Sequence, residues 1–478
     1  MSNLKLQKGT IPSFLKLLFF VELWERFSYY GMRALLVLFL TSHLGFADER
    51  AYATYSVFAA ICYMIPVISG ILSDQLFGSR NMVLIGAIVM IFGHLSMFFA
   101  STDAKLIFSG LSLIAVGTGL FKGNITSLLG ECYERDDQER SKGFTLFYVG
   151  VNLGSFVASI SCGYVAAIYG WDYGFGLAGI GMIIGLSIFL KYQYILGETG
   201  KARKKIPSYY TTIAISASLL LGSVIAKLLE YSDYFANILQ YFGTAILACF
   251  IFIILKQEQE QRKKLIALSI LIIFTMLFFA LEMQLGSLIN LFTHRNVQDQ
   301  IFGLYIPSSV SQAINPLTII IFGFIIGRYS KLDKKYDMAK FSLGIFAIAI
   351  CFAILYLGCV NANSVSKVSY IYLFFGLAAM SLGEILIGPI VQAQATLLAP
   401  SHLRGFVMGI LMLFLAFSNL AGIIISKFVS VPDISGKIDF AQSLEIYQAG
   451  FYQIAIVNMV CALVFLLFYR FLVRVTNS

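Results

Sequence analysis

The chain has 478 residues, 59% of them hydrophobic and 12% charged, with a formal net charge of +9 and a mean hydropathy of +0.83. Soluble domains carry about 25% charged residues, so the composition excludes a water-soluble enzyme or scaffold and points to a lipid bilayer. Positive charge in membrane proteins gathers in cytoplasmic loops, so the basic balance calls for no nucleic-acid partner.

A crossing helix needs about 20 predominantly apolar residues. The chain predicts six such spans near 15–42, 52–76, 81–100, 104–128, 143–168 and 174–195. Two follow near 209–229 and 236–256, and six more near 264–292, 314–330, 339–360, 368–394, 403–429 and 446–472. The expected fold is all-α and integral to the membrane, with 14 spans. A six-helix bundle over 1–196 precedes a linker with two additional helices over 197–262, and a second six-helix bundle covers 263–478. Two six-span halves about a central connection are the architecture of the major facilitator superfamily. "GILSDQLFGSR", between the second and third spans, resembles that superfamily's cytoplasmic-loop signature through Gly70, Asp74, Gly78 and Arg80.

With a cytoplasmic N-terminus, the inner segments hold roughly 23 Lys and Arg and the outer ones about 7. Clusters such as 201–205, 262–264 and 327–335 carry the bias, so both termini are expected inside. Lys5, Lys8 and Lys16 precede an apolar run that charges interrupt, with no small-residue cleavage site, so a cleaved leader is not expected. The seven cysteines lie mostly in apolar runs without CxxC spacing and read as small core residues. The four histidines are too scattered for a metal site. "ECYERDDQERSK" at 131–142 reads as a solvated inner loop.

The first span is the anomaly. "FFVELWERFSYYGMRALLVLFL" carries Glu22, Glu25, Arg26 and Arg33. At about 100° per residue, these four share an arc of about 140° with Tyr29 and Tyr30. Trp24, Phe27, Gly31, Leu35 and Leu38 take the other side. Each charge at mid-membrane costs about 2.5–3.5 kcal/mol, so the stripe must face a watery cavity or paired charges within the bundle. A buried pair is poor value for stability alone, which makes the stripe a functional-site candidate.

"ELWERFSYYGMRALL" resembles the ExxERFxYYG signature of proton-dependent oligopeptide transporters, a branch of the major facilitator superfamily. "GTGLFKGNITSLLGECY", "GFTLFYVGVNLGSFVA", "QAINPLTIII" and "SLGEILIGP" resemble that family's segments in the fourth, fifth, eighth and tenth spans. The resemblance runs from the first span to the eleventh and includes the two extra spans typical of bacterial members. It implies a proton-coupled symporter that imports di- and tripeptides into a bacterial cell across the inner membrane. No cofactor is implied, the proton gradient supplies the energy, and one chain is expected to act as a monomer.

The resemblance also implies roles. Glu22, Glu25 and Arg26 form the proton-coupling cluster together with Lys122 and Glu384. Arg26 and Lys122 hold a peptide carboxylate, while Glu384, which stands before an expected Gly388-Pro389 break in the tenth span and is helped by Asn315, receives the α-ammonium. Tyr29, Tyr30, Tyr63, Tyr148, Asn152 and Gln284 match polar pocket positions. Near-absence of mid-membrane histidine independently favours carboxylates as proton carriers.

Three departures stand out. Gly123 replaces the Pro that follows the fourth-span Lys. Leu411 stands where the eleventh span usually has Trp. In "FFALEMQLGS", Met283 takes the usual carboxylate slot, with Glu282 one residue earlier and about 100° round the helix. Glu282 is expected to pair with Arg33 in the outer gate by a local rotation. The alternatives are a proton-coupled carrier of another small substrate on this scaffold (a modified amino acid, a peptidomimetic drug or nitrate) and an intramembrane enzyme. The chain lacks GxSxG and HExxH motifs, which weighs against the enzyme.

Overall fold

The computed structural model describes residues 11–101, 103, 105–134, 139–202, 207, 209–329, 336–400, 403–432 and 438–476. Lys5, Lys8, the basic residues at 203–205 and 330–335, and positions 135–138 of the expected inner loop lie outside them. The first helices are α1 (Ser13–Leu38), α2 (Asp48–Leu72), α3 (Gly78–Phe98), α4 (Lys105–Glu131), α5 (Glu139–Tyr169) and α6 (Trp171–Tyr192). Then come α7 (Tyr209–Glu230), α8 (Ser232–Leu255), α9 (Gln259–Glu282), the short α10 (Leu288–Asn296) and α11 (Ile314–Tyr329). The last four are α12 (Asp337–Val360), α13 (Tyr370–Leu398), α14 (Arg404–Val429) and α15 (Phe440–Thr476).

Helices dominate because a spanning segment must satisfy its backbone hydrogen bonds internally. Among the described residues, 12 helical stretches are long and apolar enough to cross a membrane. One of them, Asp48–Phe98, has 51 residues, which would make an about 75 Å rod against a hydrocarbon core of about 30 Å. It is two crossings, α2 and α3, joined by a π-helical turn at Ser73–Phe77. Gly78 follows at φ +75°, where an added Cβ would lie 2.6 Å from the Gly200 carbonyl. Helix α1, with its charged stripe, is not among the twelve. With those two, the described helices match the fourteen expected spans.

Contacts divide the chain into two compact units: Met1–Met32 with Ile65–Lys227, and Arg33–Met64 with Leu228–Ser478. The boundaries fall inside α1, α2 and α7. In the first unit α3 and α4 approach to backbone contact: a Cβ on Gly86 would meet the Gly117 carbonyl at 2.7 Å. The cytoplasmic-loop motif closes locally there, with Arg80 Nη2 donating to the Gly197 carbonyl at 3.0 Å. Extra helix α7 rests on α4 where Gly222 admits Leu113.

The second unit is built on aromatic packing. Phe465 of α15 stacks edge-on to Phe274 of α9 at 5.0 Å and tilts against Phe341 of α12 at 5.2 Å. Extra helix α8 meets α14 where Gly243 admits Phe417. A short antiparallel hairpin, β1 (Gln300–Ile301) and β2 (Leu304–Tyr305), turns through Phe302 and Gly303 at φ 51° and 78°.

Two local features differ from the expectation. The seventh span is interrupted: a 3₁₀ turn at Met283–Gly286 separates α9 from α10. Ser287 Oγ donates to Gln284 Oε1 at 2.9 Å and its N–H to the Gln284 carbonyl at 3.1 Å, stabilising a kink at a Gly-Ser pair. Conversely, Pro389 lies within an unbroken α13, a tolerance common in membrane helices, where neighbours and local adjustment absorb the lost bond. All seven cysteines are free; four are buried, Cys132 and Cys461 are half-buried, and Cys249 on α8 is exposed rather than in the core.

Candidate functional site

The α1 stripe folds into a dry ionic cluster in the first unit. Glu22, Glu25 and Arg26 are exposed by only 3%, 0% and 2%. Arg26 Nε lies 3.1 Å from Glu22 Oε1 and also contacts Glu25 Oε2. The guanidinium sits 5.5 Å from the ring centroid of Tyr29, whose ring meets Tyr30 edge-on at 5.3 Å. Lys122, half-buried on α4, interacts electrostatically with Arg26, Tyr30, Glu25 and Glu22. Two carboxylates and two cations make the group nominally neutral, which is how Glu22, Glu25 and Arg26 can be kept away from water.

Around the rest of α1 and up to the edge of the stripe, close helix packing holds the helix. A Cβ on Gly154 of α5 would lie 2.3 Å from the Leu23 carbonyl and 3.1 Å from Arg26 Cβ. A Cβ on Gly181 of α6 would lie 2.4 Å from the Phe27 ring, and one on Gly31 would meet Cys162 Sγ at 2.6 Å. Small residues at such crossings let membrane helices approach closely. Helix α4 is fixed to α2 by Asn124, whose Nδ2 donates to Ser69 Oγ at 2.6 Å. Gly123 is exposed, and a Cβ there would make only ordinary contact with Pro66 at 3.7 Å.

The remaining pocket candidates of this unit lie on α5. Asn152 is buried and its Nδ2 donates to the Tyr148 carbonyl at 3.0 Å, whereas Tyr148 is 46% exposed. Tyr63, half-buried on α2, belongs to the second unit.

In the second unit, Asn315 Nδ2 donates to Glu384 Oε2 at 3.2 Å and to Ser381 Oγ at 3.1 Å. Thr318 Oγ1 donates to Ser381 Oγ at 2.7 Å. The eighth-span Asn and tenth-span Glu are thus brought together. Ser381 and Thr318, which sequence reasoning missed, complete the set. Each lies three residues from a predicted partner on the same helix, a spacing that puts it on the same face. Gln284 is 3% exposed and spends its amide locally, donating from Nε2 to the Ala280 carbonyl of α9 at 2.9 Å. Leu411 is 1% exposed and belongs to the apolar core.

The gate candidates also lie in the second unit. Arg33 Nε donates to Tyr55 Oη at 2.6 Å, and Tyr55 O–H donates to the Met283 carbonyl at 3.4 Å. The 3₁₀ turn therefore offers Arg33 a relay through Tyr55, a residue outside every sequence motif. A Cβ on Gly286 would lie 2.3 Å from Tyr55 Oη and 2.9 Å from Arg33 Nε, so this approach requires glycine. Glu282, the last residue of α9, is 5% exposed. Among the described residues, no group of three His, Cys, Asp or Glu side chains could hold a metal ion.

A family model described as the POT family matches residues 80–446. Dipeptide and tripeptide permease A of Proteus mirabilis is 33% identical over 463 residues, covering 95% of this chain and 94% of that protein. A solved structure concerned with substrate recognition in proton dependent oligopeptide transporters superposes with a TM-score of 0.86 at 30% identity. The match covers 96% of this chain and 99% of that one. A POT family transporter in complex with 5-aminolevulinic acid gives a TM-score of 0.82 at 25% identity, covering 98% of each chain. The expected all-α, major-facilitator-type membrane fold is shared with these structures along nearly the whole chain.

Proposed function

Because this chain belongs to the POT family, a family of membrane transporters and not of enzymes, we propose that it imports di- and tripeptides with protons by alternating access. The observation that carries the reading is the buried Glu22–Arg26–Glu25 cluster on α1, within electrostatic reach of Lys122. A proton arriving on either carboxylate leaves the cluster with excess positive charge. One cation is then available for an anionic substrate group, and the substrate carboxylate restores neutrality. Arg26 and Lys122 take that carboxylate, and Glu384, oriented by Asn315, takes the α-ammonium. Tyr29, Tyr30, Tyr63, Tyr148, Asn152 and Gln284 serve the pocket, and Arg33 with Glu282 serves the outer gate.

The bundles 1–196 and 263–478 rock about the pocket, with 197–262 as an accessory linker. A potential of 100 mV adds about 2.3 kcal/mol per charge moved inward, enough to concentrate substrate. The chain lies in the bacterial inner membrane with both termini cytoplasmic. One chain is taken to act as a monomer.

The test is competition against uptake of a labelled dipeptide in proteoliposomes. Free di- and tripeptides should compete at least tenfold better than the same peptides blocked by N-acetylation or C-amidation. Equal competition by blocked peptides would remove the zwitterion reading. A second reading is a non-peptide zwitterion such as a modified amino acid. It is favoured by the relative that holds 5-aminolevulinic acid. In that case such a compound outcompetes every peptide.

A further inference from the structure

We infer that His94 is a positioning residue: through Ser28 it fixes the rotation of α1, and with it the placement of the Glu22–Glu25–Arg26 cluster. The inference rests on the transport reading and adds to it a residue that no motif includes. His94 of α3 is 1% exposed and Ser28 of α1 is 0% exposed. Ser28 Oγ and His94 Nε2 are 2.5 Å apart, across 66 residues of sequence. Ser28 follows Glu25 by three residues but lies on the other side of α1 from the charged stripe, about 20° from Leu35 at 100° per residue. A tether there resists rotation of α1 in a way that apolar packing around a nearly cylindrical helix does not.

The rest of the ring's surroundings supports a positional role. A Cβ on Gly179 of α6 would lie 3.0 Å from His94 Cβ, so α6 closes directly on the residue. His94 Nδ1 is buried with no hydrogen-bond partner among the described residues. A neutral imidazole carries one N–H, and an unsatisfied buried donor is costlier than an unsatisfied acceptor. The tautomer that fits has Nε2–H donating to Ser28 Oγ and a bare lone pair on Nδ1. An apolar side chain would avoid that unmatched nitrogen, so what the histidine adds is the one bond it makes. Dispersed packing of α1 against Gly154 and Gly181 sets its distance from the bundle, and the His94–Ser28 bond sets its angle.

The experiment compares H94Q, H94L and S28A with the wild type in proteoliposomes. It measures accumulation of labelled dialanine driven by an inward proton gradient, and exchange of the same peptide without a gradient. Gln places an amide donor near the position of Nε2; Leu fills the space without one. H94L and S28A should lose driven accumulation at least tenfold while exchange stays within twofold, and H94Q should keep both within threefold. Wild-type accumulation by H94L and S28A overturns the inference. Equal loss of both activities in all three variants overturns it too, since that is the mark of mere unfolding. A readout free of substrate separates this from failure of the peptide reading. The chain has two Trp, and in a W171F background the emission of Trp24 on α1 should shift in H94L and not in H94Q. If the wild type moves no peptide but this shift appears, the transport reading falls and the positional one stands. An unshifted spectrum in H94L overturns the positional one.

Discussion

Asp48 and Arg295, 247 residues apart in the chain, meet in a bidentate ion pair inside the second unit, with both guanidinium Nη atoms 2.6 Å from the carboxylate. Their side chains are 4% and 3% exposed. The Val431 N–H donates to Asp48 at 3.0 Å, and Arg295 Nη1 also donates to Tyr447 Oη at 3.1 Å. Asp48 begins α2 and Arg295 stands in the last turn of α10, so each charge also complements its own helix dipole. Lys367, in the loop before α13, caps the Arg295 carbonyl at 2.8 Å, and burial pushes its ammonium below the ordinary lysine range.

Removing one partner of such a pair leaves the other charge buried, at a cost of about 3–5 kcal/mol. Asp48→Asn should therefore lower the melting temperature of the purified protein markedly. Arg295→Met paired with Asp48→Leu should recover most of the loss, because an apolar pair leaves no charge uncompensated. A melting curve for Asp48→Asn that overlays the wild type would show that the pair carries no stability.

Gly286 tests the relay from Arg33 to the 3₁₀ turn. Gly286→Ala forces Tyr55 and Arg33 away from the turn, and overpacking of this kind costs about 1–3 kcal/mol. Peptide uptake should fall at least fivefold, and Tyr55→Phe should fall less because only the hydroxyl is lost. Glu282→Gln, assayed by labelling of an introduced outer-face cysteine, should raise outer accessibility. Unchanged labelling and uptake would remove Glu282 as the gate partner of Arg33.

Ser381 links Asn315 and Thr318 beside Glu384. Ser381→Ala removes the hydroxyl that accepts from both Asn315 and Thr318, a loss of about 1 kcal/mol per bond, so the KM for dialanine should rise at least about fivefold with little change in maximal rate. A fall in maximal rate at constant KM would instead place Ser381 in the conformational step.

The legible part of this chain is what long apolar runs and local spacing encode. Spans such as α12 and α13 are declared by hydropathy, and the Glu22–Glu25–Arg26 face by the 100° helical step. Asn315 and Glu384 were paired by resemblance, and the structure brings them together. What escaped depends on packing across the sequence. Asp48 and Arg295 lie at helix ends, where a charge looks solvated, and nothing local reveals that they meet. Tyr55 and His94 read as ordinary residues within apolar helices until a neighbour supplies the contact. The break at Met283–Gly286 was hidden because apolar runs continue on both sides of it, although the Gly286-Ser287 pair was a usable signal. Pro389 misled in the opposite direction, since a membrane helix can carry a proline without stopping.

The most direct test of the account is uptake of a labelled dipeptide and tripeptide into proteoliposomes, with and without an inward proton gradient, for wild type, Glu25→Gln and Glu384→Gln. The account predicts gradient-driven accumulation by the wild type, loss of that accumulation in both variants, and residual exchange in Glu25→Gln alone. Accumulation that ignores the gradient, or survives Glu25→Gln undiminished, would contradict the assignment of the buried α1 cluster to proton coupling.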